Sequence, residues 1–210
     1  MITKLRKNLF LSAFHSIYQN YFFARRKKFG FIDPSAKIRF PALIKGIENI
    51  SIYENSHIMG GSKIITSKAK FILKRNSGAA EGLTVITGTH PYKVGEFFMV
   101  DAAKDIQISK DIIVEEDVWI GTNVTLLPGI IVGRGSIVAS GSVCRNNVPP
   151  YAIVQGNIAK VVGFKFSPEE IILHEEKLYS KEERLELTFL KNNYDKYFIK
   201  RIKEIKNNLK

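Results

Sequence analysis

Aliphatic residues recur every six positions from Val114 onward, and this period is the strongest pattern in the chain. The fifth position of each six-residue row is small or β-branched. An α-helix, with about 3.6 residues per turn, does not keep such a period on one face. A hairpin meander would instead alternate apolar and polar residues. The pattern therefore predicts a triangular coil with one strand and one corner per row, whose inward residues are Val114, Ile120, Leu126, Val132, Val138 and Cys144.

The same period occurs earlier in the chain, with one interruption. Ile32, Ile38, Ile44 and Ile50 are six apart, and a two-residue slip then leads to Ile52, Ile58 and Ile64. One coil cannot bury its own apolar face, so the coils are expected to stack into a continuous core. Between about Ser67 and Ile108 the pattern predicts a broken register, with an excursion near residues 87–106. Long excursions from a repetitive scaffold usually carry function.

The two ends of the chain have helical rather than six-residue spacing. Residues 3–24 place apolar side chains on one helical face. Ser167 and Glu170 form the pattern of a capping box around Pro168, which predicts helices over 168–176 and 180–208 that cap the open end of the coil. The sequence thus predicts an N-terminal basic helix (1–30), a β-coil (31–165) and C-terminal helices (166–210).

The charge of the chain is concentrated at its N-terminus. The formal net charge is +12, and residues 1–30 contain seven Lys and Arg residues and no acid. Such a face fits a polyanionic partner or an anionic membrane surface, or it is the solvated side of a helix packed on the first coil. No nucleic-acid motif accompanies it. No apolar run is long enough to span a membrane, so a cytoplasmic protein with peripheral membrane contact is expected.

The run VWIGTNVTLLPGIIVGRGSIVASGSV (118–143) resembles the hexapeptide-repeat acyltransferases. The segment VPPYAIVQGNIAK (148–160) is similar to their closing signature V-x-G-x-P-A-K, with Ile158 in place of proline. The resemblance covers about residues 32–165 and is strongest to sugar and polysaccharide O-acetyltransferases; galactoside, maltose and streptogramin acetyltransferases are more distant. It implies a left-handed parallel β-helix, a homotrimer, acetyl-CoA as co-substrate and no metal.

His90 is the candidate general base. A sugar hydroxyl needs a base near neutral pH, and histidine is suited to that task. His90 lies in the excursion, within the motif TGTHPY, whereas His57 is interpreted as a corner residue and the other two histidines lie in the terminal helices. In the resembling family the matching histidine deprotonates the acceptor. Its orienting acid is one of three candidates, of which Glu96 is favoured over Glu81 and Asp101 because it shares the excursion.

The resemblance also implies the cofactor residues. By motif position, the pantetheine arm of CoA would meet Gly121, Thr122, Ser140 and Gly141, although corners of a coil need small residues in any case. Its phosphates would meet Arg145 and Lys160. The family often has Thr-Lys where this chain has Arg145-Asn146. For the acceptor, the candidates are Asn76 and Tyr92, and Trp119 is expected to pack outward against a subunit or the cofactor.

These features predict an acetyl-CoA-dependent O-acetyltransferase that acts on a sugar or polysaccharide hydroxyl of the capsule or lipopolysaccharide type. Four alternatives stay open. They are an N-acetyltransferase of an amino sugar or nucleotide amino sugar, an antibiotic acetyltransferase, a non-enzymatic binding module, and a metalloenzyme like the γ-type carbonic anhydrases. The last needs three histidines around one metal, and the repeat contains only His57 and His90.

Overall fold

A computed structural model describes residues 26–39, 42–90, 92, 94, 95, 97 and 108–199. The helix predicted over residues 3–24 lies outside the described residues. Within them the strands are β1 (Phe31–Ile32), β2 (Lys37–Ile38), β3 (Ala42–Lys45), β4 (Ile50–Ile52), β5 (His57–Ile58), β6 (Ser62–Ile65), β7 (Phe71–Leu73), β8 (Gly78–Ala79), β9 (Thr84–Ile86), β10 (Gly88–Thr89), β11 (Ile108–Ser109), β12 (Ile112–Val114), β13 (Trp119–Ile120), β14 (Thr125–Leu126), β15 (Ile131–Val132), β16 (Ile137–Val138), β17 (Val143–Cys144), β18 (Ala152–Gln155) and β19 (Lys160–Phe164).

These strands form the three sides of a prism. Side A contains β1, β4, β7, β12 and β15; side B contains β2, β5, β8, β13, β16 and β18; side C contains β3, β6, β9, β14 and β17. All neighbours within a side are parallel, and β19 adds to side B as an antiparallel partner of β18. The described residues thus make five complete coils and the start of a sixth. The predicted parallel β-helix of hexapeptide repeats is confirmed.

The interior of the prism is formed by the first residue of each row. From Val114 to Cys144, all six predicted inward residues are at most 1% exposed. Three residues later in most rows the backbone turns with a positive φ, as at Asn55, Asn76, Asp117 and Asn123. Asn and Asp tolerate this left-handed conformation better than most residues, which explains the polar corners.

One coil was missed in the sequence. Residues 71–86 form a regular third coil, in which Leu73, Ala79 and Val85 are six apart and fully buried. The predicted register break from Ser67 is therefore wrong for this stretch, and the coil is interrupted only after Ile86. Ala79 is a small inward residue, and the step from the preceding inward residue, Ile64, to Leu73 takes nine residues instead of six, so the period was obscured.

The corners differ between the three edges of the prism. The AB edge joins side A to side B (residues 33–36, 53–56, 74–77, 115–118, 133–136 and 149–151), and the BC edge joins side B to side C (59–61, 80–83, 121–124 and 139–142). The CA edge leads from side C to side A of the next coil (46–49, 66–70, 87–111, 127–130 and 145–147). The excursion leaves the prism at the CA edge.

The C-terminal segment folds against the AB edge. Helix α1 (Pro168–Leu178) begins at the predicted capping box of Ser167 and Glu170. The second predicted helix is shorter than expected: Lys181–Glu183 form a 3-10 turn, and α2 spans Leu187–Tyr194 before a π-helical turn. The backbone N–H of Leu185 donates to the buried Glu175, which holds the chain out of a helix between the two segments. Neither helix has the length and apolar character that a membrane span requires within the described residues.

Candidate active site

His90 lies where the chain leaves the prism at the CA edge. It directly follows β10, which pairs antiparallel with β11, so that Gly88 faces Ser109 and Thr89 faces Ile108. The outgoing and returning segments of the excursion are therefore joined by a two-stranded ladder. The His90 side chain is exposed. The ladder fixes the backbone position of His90, because only Thr89 separates His90 from Gly88.

Hydroxyl groups anchor this ladder to the coil above. The Thr87 hydroxyl is buried; it accepts a hydrogen bond from the N–H of Ser67 at 3.1 Å and donates to the carbonyl of Ala69 at 3.3 Å. The hydroxyls of Ser67 and Ser109 lie 2.8 Å apart. These contacts satisfy backbone groups that a regular corner would pair with the adjacent coil. The base of the excursion is thus attached to the corner at residues 66–70.

The rest of the excursion is described only in part. Glu96 and Asp101 lie outside the described residues. Glu81 is described and lies on the BC edge, away from the edge that carries His90. Tyr92 is 84% exposed, and Val94 and Phe97 are exposed as well.

The four predicted pantetheine residues meet at one place on the BC edge. The N–H of Thr122 donates to the Ser140 hydroxyl at 3.1 Å, and the N–H of Gly141 donates to the Thr122 carbonyl at 2.8 Å. A Cβ atom at Gly121 would lie 2.7 Å from the Ser140 nitrogen, so this position needs glycine. We call Gly121, Thr122, Ser140 and Gly141 the cofactor corner.

The two predicted phosphate contacts lie at the C-terminal end of the prism. Arg145 follows β17 on the CA edge, and Lys160 begins β19; both are exposed. The N–H of Ala159 donates to the Val143 carbonyl at 2.9 Å, so the segment before Lys160 continues side C below β17.

Asn76 does not join His90 in the folded chain. It occupies a corner of the AB edge with φ 58° and corresponds to Asn55 and Asp117 in the adjacent coils. Its place in the turn accounts for the residue type. Within one chain, the structure separates this predicted acceptor contact from the predicted base.

Two clefts near the first coils were not predicted from the sequence. The side-B cleft, about 350 Å³, is lined by Ser35, Lys37, Arg39, Asn55, Ser56, His57 and Met59. The BC-edge cleft, about 600 Å³, is lined by Arg39, Met59, Gly60, Gly61, Glu81, Gly82, Thr122 and Asn123. The only signal for the first was a pair of outward basic residues in the first coil, Lys37 and Arg39.

His57 and Trp119 form one wall of side B. His57 points outward from β5 rather than lying in a corner as predicted. Gly78 lies between the two in the parallel register, and a Cβ atom there would come within 2.7 Å of the His57 ring. The two rings have centroids 6.1 Å apart, and Trp119 is 48% exposed. The expectation that Trp119 packs outward agrees with this placement.

Metal binding would need several ligands close together. The described part of the chain contains no group of three His, Cys, Asp or Glu side chains arranged to hold a metal ion. His57 lies on side B, whereas His90 follows the CA edge.

Comparisons with known proteins identify the repeat and the fold. The family model "Bacterial transferase hexapeptide (six repeats)" matches residues 111–146. No curated protein matches the sequence. A hexapeptide-repeat acetyltransferase from Vibrio cholerae, solved with acetyl-CoA, superposes with a TM-score of 0.63 at 23% identity, covering 71% of this chain and 78% of that one.

Two further structures are similar. A maltose O-acetyltransferase from Clostridium difficile has a TM-score of 0.60 and 22% identity over 66% of this chain and 71% of that one. An N-acyltransferase from Bacillus cereus, solved with dTDP and 3-hydroxybutyryl-CoA, has a TM-score of 0.54 and 14% identity over 74% and 93%. Superposition preserves handedness, so this coil has the hand of those proteins, the left-handed one that the resemblance implied. The resemblance to hexapeptide-repeat acyltransferases is confirmed.

Proposed function

We propose that this chain, which has the repeats and the fold of the hexapeptide-repeat transferases, is an acetyl-CoA-dependent O-acetyltransferase acting on a sugar or polysaccharide hydroxyl of the capsule or lipopolysaccharide type. The observation that carries the proposal is the position of His90. It is the exposed histidine that the β10–β11 ladder holds at the point where the coil is interrupted.

Acetyl-CoA binds along the BC edge in this proposal. At the cofactor corner Thr122, Ser140 and Gly141 are exposed, and these small residues and their backbone groups suit the narrow, amide-containing pantetheine arm. Arg145 and Lys160 are exposed cations further along the prism and pair with the phosphates. The Vibrio cholerae acetyltransferase solved with acetyl-CoA supports this use of the fold.

His90 acts as the general base. Its neutral imidazole takes the proton of the acceptor hydroxyl as that oxygen attacks the carbonyl carbon of the thioester. The tetrahedral intermediate then breaks its C–S bond, and the imidazolium returns the proton to the departing CoA thiolate. Glu96, on the same excursion, orients the imidazole by accepting a hydrogen bond from its other nitrogen. Tyr92, on the excursion, contacts the acceptor, whereas Asn76 on the AB edge lies away from this site.

The site requires more than one copy of the chain. His90 follows the CA edge, whereas the cofactor corner lies on the BC edge, one side of the prism away. Six residues of extended chain span about 20 Å, which is too far for a base within one chain to reach an acceptor at that corner. A homotrimer brings His90 of one copy to the cofactor corner of the next. Light scattering at micromolar concentration tests this, since an active monomer would contradict it.

A panel of acceptors tests the reaction itself. CoA release from acetyl-CoA is measured with glycans, nucleotide sugars, amino sugars and aminoglycoside antibiotics, and the product is analysed for an ester or an amide. We expect an ester on a saccharide. An amide would favour the second candidate, N-acyl transfer to a nucleotide amino sugar, which the similarity to the Bacillus cereus N-acyltransferase supports. CoA release with none of these acceptors would contradict both.

A further inference from the structure

The side-B cleft gathers three basic side chains at the first two coils. Lys37 and His57 are direct neighbours in the parallel register of β2 and β5. Arg39 lies two residues beyond Lys37 and therefore points from the same face of the prism. All three line one cleft of about 350 Å³.

Among the described residues, the carboxylate nearest to these cations along the lining of the two clefts is that of Glu81, in the adjoining BC-edge cleft. None of the seven described residues that line the side-B cleft carries a carboxylate. The side chains of Lys37 and Arg39 make no ion pair within the described part of the chain. Some basic side chains elsewhere on the prism are paired, such as Lys74 with Glu115 at 2.7 Å. Unpaired cations that converge on a concave surface favour an anionic ligand.

An aromatic pair adjoins the cleft: His57 lines it, and Trp119 lies beside His57, two strands further along side B. The His57 and Trp119 rings lie over Gly78, where a Cβ atom would come within 2.7 Å of the imidazole and 3.2 Å of the indole, and the indole is 48% exposed. A flat, partly exposed aromatic ring can pack against the apolar face of a sugar ring while polar groups at its rim bind hydroxyls. Such a pair favours a saccharide over a simple inorganic ion.

The cleft opens toward the proposed reaction site. Arg39 and Met59 line both the side-B cleft and the BC-edge cleft, and the latter reaches Thr122 of the cofactor corner. The proposed phosphate contacts of CoA, Arg145 and Lys160, follow the fifth coil. About four coil steps of about 4.8 Å each separate the two cationic groups. One CoA molecule that places its phosphates at Arg145 does not also place them at Lys37.

We propose that the side-B cleft binds the carboxylate or phosphate of an acidic acceptor saccharide, so that the protein selects acidic over neutral acceptors. This inference rests on the proposed function, because it names the acceptor class of the same site. Lys37 and Arg39 bind the anion, Trp119 packs against the sugar ring, and the remainder of the saccharide extends through the BC-edge cleft toward the thioester.

Trp119 is the only tryptophan in the chain and lies beside His57, which lines the cleft, so its fluorescence reports on a saccharide bound there. The full-length protein is titrated with a sialic acid tetramer, UDP-N-acetylglucosamine, maltotetraose and, separately, CoA. We expect a saturable change with an acidic saccharide, weakened by added salt, and none with neutral maltotetraose. In the variant K37Q/R39Q the Kd for that acidic saccharide rises about tenfold or more, whereas the Kd for CoA is unchanged.

Two further variants control for net charge and folding. K45Q/K63Q removes the same charge from side C of the first two coils, and its Kd should stay within about twofold of the parent value, since screening weakens distant charges. K37R/R39K keeps both charges and should retain binding. A loss in K45Q/K63Q equal to that in K37Q/R39Q would overturn the proposal, as would equal binding of maltotetraose.

The CoA titration decides whether the anion bound in the cleft belongs to the acceptor saccharide or to CoA. If K37Q/R39Q weakens CoA as much as the acidic saccharide, the cleft serves the cofactor and the proposal is wrong. The inference can also fail while the proposed function stands. If K37Q/R39Q transfers acetyl groups to an acidic acceptor with an unchanged kcat/KM, the proposed role of the side-B cleft is wrong, but the protein is still an acetyltransferase. Conversely, an acidic saccharide could bind in a way that depends on Lys37 and Arg39 while no acceptor is acetylated. That result would support the saccharide site and contradict the proposed transferase activity.

Discussion

Every step across the AB edge takes six residues, as from Ile52 to Ile58 or from Val114 to Ile120, whereas the steps across the CA edge vary widely in length. Between successive inward residues the CA edge takes eight residues (Ile44 to Ile52), nine (Ile64 to Leu73), twenty-nine (Val85 to Val114), six (Leu126 to Val132) and four (Cys144 to Val148). The two edges belong to the same coils, so the variation is confined to one edge. The inward residues of the other corners therefore stay in register.

The two edges are also held by different interactions. On the AB edge the fully buried Glu175 accepts hydrogen bonds from the Tyr151 hydroxyl at 2.9 Å and from the N–H of Leu185, and it pairs with Arg134 at 3.4 Å. Burial raises the pKa of Tyr151 well above its usual value, and Glu175 raises it further. Burial alone would lower the pKa of Arg134, but Glu116 and Glu175 raise it. This edge is stabilised by charge and covered by the C-terminal helices.

The CA edge is held mainly by hydroxyl groups, together with the Asp111 carboxylate, which accepts from the N–H of Lys70 at 2.8 Å. Thr66 donates to carbonyls of the first coil, and Thr87 and Ser67 join the second corner to the base of the excursion. These bonds replace ladder hydrogen bonds that longer corners cannot make. The comparison teaches that a repeat can place an insertion, and with it the candidate base, on one edge while the opposite edge supplies the stability.

The largest expected effect is on catalysis at the CA edge. His90→Ala should lower acetyl transfer by about 10²-fold or more, because the general base is lost. The fold should persist, since the side chain is exposed. Turnover is measured by CoA release, with Thr89→Ala as the neighbouring control. Near-normal turnover of His90→Ala would remove the base assignment.

On the AB edge the largest effect should be on stability. Glu175→Ala leaves the Arg134 guanidinium, the Tyr151 hydroxyl and the Leu185 N–H without their shared acceptor, at a cost of about 3–5 kcal/mol in the free energy of unfolding. Denaturant titration measures it, and the exposed Glu182→Ala serves as the control. A loss below about 1 kcal/mol would show that the charges do not hold this edge.

A smaller effect is expected from the hydroxyl anchor of the CA edge. Thr87→Val keeps the shape of the side chain but removes two hydrogen bonds, which costs about 1–3 kcal/mol. Because we treat Thr87 as a positioning residue for His90, Thr87→Val should lower kcat while KM stays unchanged. Thr87→Ser, which keeps the hydroxyl, should restore kcat. Thr84→Val, in the preceding strand, is the control. A stability loss without any change in kcat would limit Thr87 to a structural role.

Cys144 is the last inward residue of the six-residue rows, so the accessibility of its thiol tests whether the core is closed at that position. Burial raises the pKa of its thiol to about 11, so the folded protein keeps it neutral. The unfolded thiol loses its proton first, so this residue's contribution to stability falls as pH rises from about 9 to 11. At pH 8 a thiol reagent should react only after unfolding. Rapid labelling of the folded protein would contradict the burial.

The smallest effect concerns the N-terminal end of the prism. Arg26 donates to the carbonyls of Asp33 and Ala36 and so holds the first corner of the AB edge, whereas Lys27 and Lys28 are exposed. Residues 1–30 should give weak, salt-sensitive binding to anionic vesicles, with about 1 kcal/mol for each basic residue near the surface. Neutralising Arg25, Lys27 and Lys28 while keeping Arg26 should reduce flotation with the vesicles. Flotation that is absent at low salt would end the membrane proposal.

The sequence predicted those parts of the fold that depend on residues close together in the chain. The inward residues from Val114 to Cys144 and the capping box at Ser167 follow from local periodicity and local hydrogen bonding, and both are found in the structure. The third coil was missed because Ala79 is a weak hydrophobic signal and the step from Ile64 to Leu73 takes nine residues instead of six. Corner lengths depend on contacts between coils, which no six-residue window contains.

For the candidate site, the sequence by itself determined which residues are chemically suited: a histidine in the excursion, small residues in the rows and cations near the end. Tertiary structure decided which edge each occupies. It gathered the cofactor corner, separated Asn76 from His90, and brought His57 beside Trp119, 62 residues later in the chain. The physical reason is the stacking of parallel coils, in which neighbours on one side come from successive turns. The insertion after Ile86 lengthens the chain between His57 and Trp119, so no local sequence pattern reveals that the two are neighbours.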